Sequence, residues 1–155
     1  MNAVNFVFTL NPADQPNIKN SKIVDLYTKQ FYNFTFWNTP FSKYNSLPFF
    51  FSDEAIDLFY ISMFVTYADR LVQRKEFEDS WTRKFHLYIP VLCLDKWLKE
   101  KNIIEEMLSF LSGDRWSIDF RKRELNEREL KFKKIFTKAK QSKLQLVRYV
   151  FFLVD

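Results

Sequence analysis

One histidine, one cysteine and one glycine stand in a chain of 155 residues, so few catalytic constellations can be assembled from it. His86 falls in a stretch where Phe85, Leu87, Ile89 and Val91 alternate with Lys84, His86, Tyr88 and Pro90. That places it on the polar side of a strand, beside Lys84 and Tyr88. Counting alone leaves a Ser-His-Asp triad open, but the expectation is a solvated surface histidine. Cys93 has no partner for an intramolecular disulfide and fits a reducing cytosol. It reads as a small buried hydrophobe rather than a nucleophile. One histidine and one cysteine cannot make a tetrahedral zinc site of the usual ligands. Among the carboxylates Asp53, Asp57, Asp69, Asp79, Asp114 and Asp119, no spacing marks a metal-binding or acid/base pair, and capping and salt bridging account for them. A loop that cradles phosphate needs several glycines, because the backbone must approach without side chains and often at positive φ. Gly113 alone excludes a Walker loop, a dinucleotide fingerprint and a PP-loop. A helix N-terminus can still hold an anion without glycine. The sequence therefore offers no catalytic residue, no metal site and no cofactor.

Charge gives the second candidate. The net charge is +5, and it is unevenly placed. Residues 121–143 hold ten Lys/Arg against three Asp/Glu, whereas residues 1–120 hold 13 against 15. Arg121, Lys122, Arg123, Lys131, Lys133, Lys134, Lys138 and Lys140 are candidate nucleic-acid contacts, since such side chains neutralise phosphates and release counterions. Phe132 and Phe136 would be the residues to stack on unpaired bases. The alternative is a solvated helix or linker with a basic face.

The elements that must position these residues follow from periodicity. Val4, Phe6 and Phe8 alternate over residues 3–10, which predicts a strand. Residues 11–20 and 38–52 are loops rich in turn formers. Alternation over residues 31–37 predicts a second strand. Ser52 or Asp53 caps a helix running to about Gln73, with Asp53 and Glu54 at its positive end. Its apolar residues cover nearly the whole circumference, so it is expected to be the buried central helix. Residues 73–80 are charged and read as a solvated turn. The His86 strand follows, with Pro90 arguing for an edge or a strand end. Asp95 to Leu111 has Trp97, Leu98, Ile103, Ile104, Met107, Leu108 and Leu111 at near-helical spacing, and Gly113 sits where a helix takes a left-handed residue past its end. Trp116, Ile118 and Phe120 alternate in a further strand. The expected fold is α+β: a single mixed sheet of about four strands with two packed helices, in the order β-β-α-β-α-β. Residues 1–121 form the compact domain. Residues 122–155 form a basic helical extension or linker ending in a short apolar strand.

With 19 Phe and 47% apolar residues, the chain can bury a full core at this length. Its most apolar stretch, Leu58 to Ala68, is about half the roughly 20 residues that a membrane span needs. Residues 1–10 lack the basic start and long apolar run of a signal peptide. A cytoplasmic protein with no membrane contact is expected.

Three stretches are distinctive together: Tyr67-Ala68-Asp69-Arg70-Leu71-Val72; Trp81-Thr82-Arg83 leading into Phe85, Leu87 and Ile89-Pro90-Val91; and Leu108-Ser109-Phe110-Leu111-Ser112-Gly113-Asp114-Arg115-Trp116. In this order and spacing they resemble the N-terminal domain of QatC-like proteins, relatives of the 7-cyano-7-deazaguanine synthase QueC found in bacterial anti-phage operons. The resemblance covers about residues 53–121. In such proteins this domain precedes an ATP-pyrophosphatase domain that opens with an apolar strand and a Ser-Gly-Gly-x-Asp-Ser loop. Val147 to Val154 looks like that strand, and the glycine loop does not follow it, so no ATP-binding residue carries over. The resemblance implies a separated, truncated or frameshifted N-terminal domain. It would act as a non-catalytic accessory or scaffold, with another protein of the same operon or a separated PP-loop domain as its partner. Asp69, Arg70, Arg83, Asp114 and Arg115 would form an ion-pair network joining helix end, strand start and turn, or else a binding surface toward a partner or substrate.

Overall fold

The computed structural model describes residues 3–11, 14, 16–25, 52–127, 129, 130, 133 and 134. The chain divides into two compact units, Met1–Phe34 with Ser52–Glu124, and Thr35–Phe51 with Leu125–Asp155. The first unit carries strands β1 (Val4–Thr9), β2 (Ser21–Asp25), β3 (Lys84–Val91) and β4 (Arg115–Lys122), and helices α1 (Asp53–Leu71) and α2 (Leu94–Ser112). The α+β class and the element order expected from the sequence hold. The sheet is not mixed as expected: all three pairings are parallel, with strand order β2-β1-β3-β4, because every connection between paired strands crosses back over the sheet rather than turning as a hairpin. The second strand is Ser21–Asp25; the alternation at 31–37 and the apolar run at 147–154 lie outside the described residues.

Register separates the two sheet faces. Val4, Phe85 and Trp116 align across β1, β3 and β4, and so do Phe6, Leu87 and Ile118. These residues and Phe8 face α1, where Phe64 stacks on Phe8 at 4.2 Å and Tyr67 meets Phe6 and Phe8 edge-on. Phe6, Phe8, Phe64, Phe85, Leu87, Ile89 and Ile118 are fully buried, and each such side chain contributes about 1.5–3 kcal/mol by leaving water. The other face carries Asn5, His86, Tyr88, Ser117 and Asp119.

Helix α1 is capped by Ser52, whose Oγ accepts the Ala55 amide at 3.3 Å. It is not apolar-buried all round: Leu58 and Leu71 are exposed, and burial follows Ile56, Tyr60, Ile61, Met63, Phe64 and Ala68. Helix α2 ends at Gly113, whose φ of +72° is the left-handed conformation predicted for it, and whose amide donates to Ser109 O. Pro90 sits in the interior strand β3, not at an edge. Arg115 and Arg123 amides donate to Arg83 and Val91 carbonyls, so odd-numbered β3 residues bond toward β4. Pro90 belongs to the alternate set facing β1, beyond the last β1 pair at Val7 and Tyr88, so its missing N–H breaks no ladder.

Strand β4 closes the described sheet on one side, and α2 lies along it. Glu105 Oε1 accepts the Ile118 amide at 2.7 Å and Ser109 Oγ the Trp116 amide at 3.4 Å. These bonds occupy edge donors that would otherwise template another strand. In the second unit, Asn126 Oδ1 accepts the Glu129 amide and Glu129 Oε2 accepts the Asn126 amide, a reciprocal cap that starts a helical turn. No described helix is long and apolar enough to cross a membrane.

Candidate functional site

In an open parallel sheet, ligands bind beyond the strand C-termini where the strand order reverses, here between β1 and β3. Beside that position, at the C-terminal end of β3, the chain supplies a carboxylate of its own. Asp57, fully buried on α1, accepts the Leu92 amide at 2.8 and 2.9 Å, the Cys93 amide at 2.9 Å and the Trp97 indole N–H at 3.0 Å. Its charge is opposed by the Arg123 guanidinium at 3.9 Å, which also lies over Tyr60. The start of α2 is where an anion would sit, and a carboxylate of the protein already holds it. Asp57 was one of several carboxylates assigned to capping; it caps a helix other than its own. At the same end Glu54 pairs with Lys96, and the Lys96 ammonium lowers the Glu54 carboxyl to about 2. Cys93 is pushed the other way: burial first, then Glu54, Asp57 and Asp53, raise its thiol above the ordinary range. A thiol so placed is a poor nucleophile at neutral pH.

The opposite end of the sheet is tied by two arginines. Arg83, at the start of β3, is buried. Its guanidinium donates to Asp114 Oδ2 at 2.6 and 3.1 Å, to Asp69 Oδ1 at 2.5 Å, and to the Asp69 and Val72 carbonyls at 2.7 and 2.9 Å. It therefore caps the C-terminal end of α1. Arg74 donates to both Asp114 oxygens, to Ser112 O at 2.8 Å and to Trp81 O, and so caps α2. Its guanidinium also lies 5.5 Å from the Trp81 ring centre. Burial alone would raise the Asp114 carboxyl; the bonds and charge of Arg83, with Arg74, outweigh it and hold Asp114 below the usual carboxylate range. Burial would likewise lower Arg83, but Asp114 and Asp69 raise it. Of the five residues expected in this network, the structure brings Asp69, Arg83 and Asp114 together. Arg70 is exposed on the last turn of α1. Arg115 is exposed and lines a shallow depression with Phe77, Glu78, Asp79, Thr82 and Lys84. Arg74 was missed, because residues 73–80 read as a solvated turn.

His86 is half-buried rather than solvated. It stacks on Tyr88 at 4.4 Å, and its Nε2 lies 2.7 Å from Asp119 Oδ2. Lys101 of α2 donates to Asp119 Oδ1 at 3.3 Å. Burial raises the Asp119 carboxyl, but the bonds from His86 and Lys101 prevail and lower it. The pair joins the polar sheet face to α2, which is a structural use of the imidazole. No group of three or more His, Cys, Asp or Glu among the described residues could hold a metal ion.

Helix α2 leaves a third feature. Its apolar residues divide into two sets. Leu94, Trp97, Ile104 and Leu108 are partly covered, while Phe110, Leu111, Ile103, Met107 and Leu98 are 88, 71, 63, 50 and 50% exposed. The near-helical spacing of Ile103, Met107 and Leu111 predicts a helix without saying which side packs. The structure turns these outward, because α2 straddles the β4 edge and spends its inner side on Glu105, Lys101 and Ser109.

No protein-family model, curated protein or solved structure matches the chain.

The basic candidates divide by position. Arg121 is bidentate on Asp14 at 2.5 and 2.6 Å and donates to Phe8 O at 2.6 Å. Lys122 donates to Leu92 O, and Arg123 faces Asp57. These three cations act within the first unit. Lys133 is partly covered and Lys134 is exposed. Lys131, Lys138 and Lys140, with Phe132 and Phe136, lie outside the described residues.

Proposed function

We propose that this chain is a non-catalytic accessory domain that works through protein contacts, of the kind that precedes the PP-loop domain in QatC-like anti-phage proteins. The observation that carries the reading is the outward line of Ile103, Met107, Phe110 and Leu111 on a helix whose inner side is already engaged. Large side chains exposed contiguously at this scale mark interaction sites. Two further points support it. The start of α2 beyond β3, where an anionic ligand would sit, holds Asp57 instead. The three stretches that resemble QatC-like domains also meet at one end of the sheet, through Asp69, Arg83 and Asp114.

The test uses the chain in its own operon. Ile103→Glu with Phe110→Glu should abolish restriction of phage growth while the purified variant keeps the wild-type melting temperature. Wild-type restriction by that variant would overturn the reading, and so would tight ATP binding by the isolated chain.

A further inference from the structure

We propose that the partner of the α2 face is a second copy of this chain, paired antiparallel about Ile103. The inference rests on the reading that the chain acts through protein contacts. Helical spacing sets the geometry. Positions 96, 99, 103, 106, 107 and 110 share the outward side of α2, since residues three, four and seven apart lie above one another. Ile103, Met107 and Phe110 form the apolar line, with Leu111 at its flank.

Charge along the same side selects the partner. Lys99 and Glu106 are seven residues apart, two helical turns, on one flank of that line. A two-fold axis at Ile103 lays Lys99 of each copy against Glu106 of the other. The same axis sets Ile103 on its own counterpart and Phe110 over the aliphatic stem of Lys96. Every contact is made twice, as an isologous interface requires. Sliding the axis to the middle of the apolar half would set Glu106 against Glu106, so the charges disfavour that register. The exposed apolar area is on the order of several hundred Å² per copy, and the stems of Lys96, Lys99 and Glu106 extend it toward the roughly 800 Å² per partner of a standard interface. An isologous pair also explains how Phe110 can stand 88% exposed in one copy.

Light scattering behind size exclusion, on the full chain at concentrations up to about 100 µM, reads the association directly. The wild type should run as a dimer, and Phe110→Glu as a folded monomer, since Phe110 supports no core. Lys99→Glu and Glu106→Lys should each weaken association by roughly tenfold. Combined in one chain, they should restore it, because the reversed pair is again complementary. A monomeric wild type would overturn the proposal, as would a dimer indifferent to Phe110→Glu or a charge swap that fails to rescue. A monomer whose α2 variants still lose phage restriction would sink self-pairing alone and leave the protein-contact reading standing.

Discussion

Replacing Arg83 by Met should destabilise the first unit by about 3 kcal/mol or more, and the size of that loss follows from what the side chain leaves behind. Arg83 makes five side-chain hydrogen bonds from a position only 5% exposed. Two go to Asp114, a carboxylate that is itself 2% exposed. Without Arg83, Asp114 keeps Arg74 and the residue-83 backbone amide, so its charge is not abandoned. The Asp69 and Val72 carbonyls lose their donor as α1 ends. Breaking a buried pair costs roughly 3–5 kcal/mol, and the remaining partners put this site at the lower end. Domains of this kind hold about 5–15 kcal/mol in total, so urea unfolding by circular dichroism resolves the loss easily. Asp114→Asn alone should cost about 2 kcal/mol, and the double variant clearly less than the sum, with a coupling near 1 kcal/mol or above. Arg83→Lys should recover only part of the loss, because one ammonium cannot span Asp114, Asp69 and the Val72 carbonyl. The pH dependence adds a second handle. The folded carboxyl of Asp114 lies below its unfolded value of about 4, so its contribution is present above that pH and is lost as pH falls through the folded value. Stability should therefore drop on acidification, and less steeply in Asp114→Asn. A loss under 1 kcal/mol for Arg83→Met, or strict additivity with Asp114→Asn, would refute the account.

Gly113→Ala should cost about 1 kcal/mol in thermal unfolding; a Cβ there meets nothing within 4 Å, so only the backbone strain at φ +72° counts, and Gly113→Asn should cost less. The Cys93 thiol should react more slowly with a thiol reagent at pH 8 than a free cysteine, and Glu54→Gln should speed it by removing one of the carboxylates that raise its pKa. Asp57→Ser should turn a filled position into an anion site, so that millimolar sulfate raises the variant's melting temperature by a few degrees, roughly, and leaves the wild type unmoved. Equal sulfate shifts in both would show that Asp57 does not occupy that position.

The parts of the fold legible in the sequence are those with a strong local signal. Phe85-Leu87-Ile89 and Trp116-Ile118-Phe120 alternate because each strand faces α1 on one side and polar groups on the other. Gly113 was legible because one φ/ψ requirement explains it. What escaped was non-local. Strand β2 has only Ile23 and Val24 as apolar residues, and Ile23 is 62% exposed, so its pattern is too weak to read. Arg74 looked solvated because its neighbours are charged, yet its guanidinium reaches across 40 residues to Asp114. His86 looked solvated because alternation gives the face and not what crosses it; Asp119 and Lys101 come from other elements. The outward turn of Ile103 and Met107 escaped for the same reason. A helical period shows that a stripe exists, and only the edge strand beneath it decides which side packs.

These non-local contacts bear on function as a set. A parallel sheet presents two ends and two sides. At the C-terminal end Asp57 and Arg123 supply the charges a ligand would have to displace. At the other end Arg83 binds the Asp69 and Val72 carbonyls and Arg74 the Ser112 carbonyl. The β4 edge is occupied by Glu105 and Ser109. Each of these places is closed by a side chain that satisfies a backbone group, so a ligand gains little there that the chain does not already have. The outward line of α2 differs in kind, because its apolar residues satisfy nothing in the described structure and remain exposed to water. Free energy is available where surface is still unburied, and α2 gathers Ile103, Met107, Phe110 and Leu111 along one side of a single helix, whereas Trp81, Ile23 and Leu58 are exposed on separate elements.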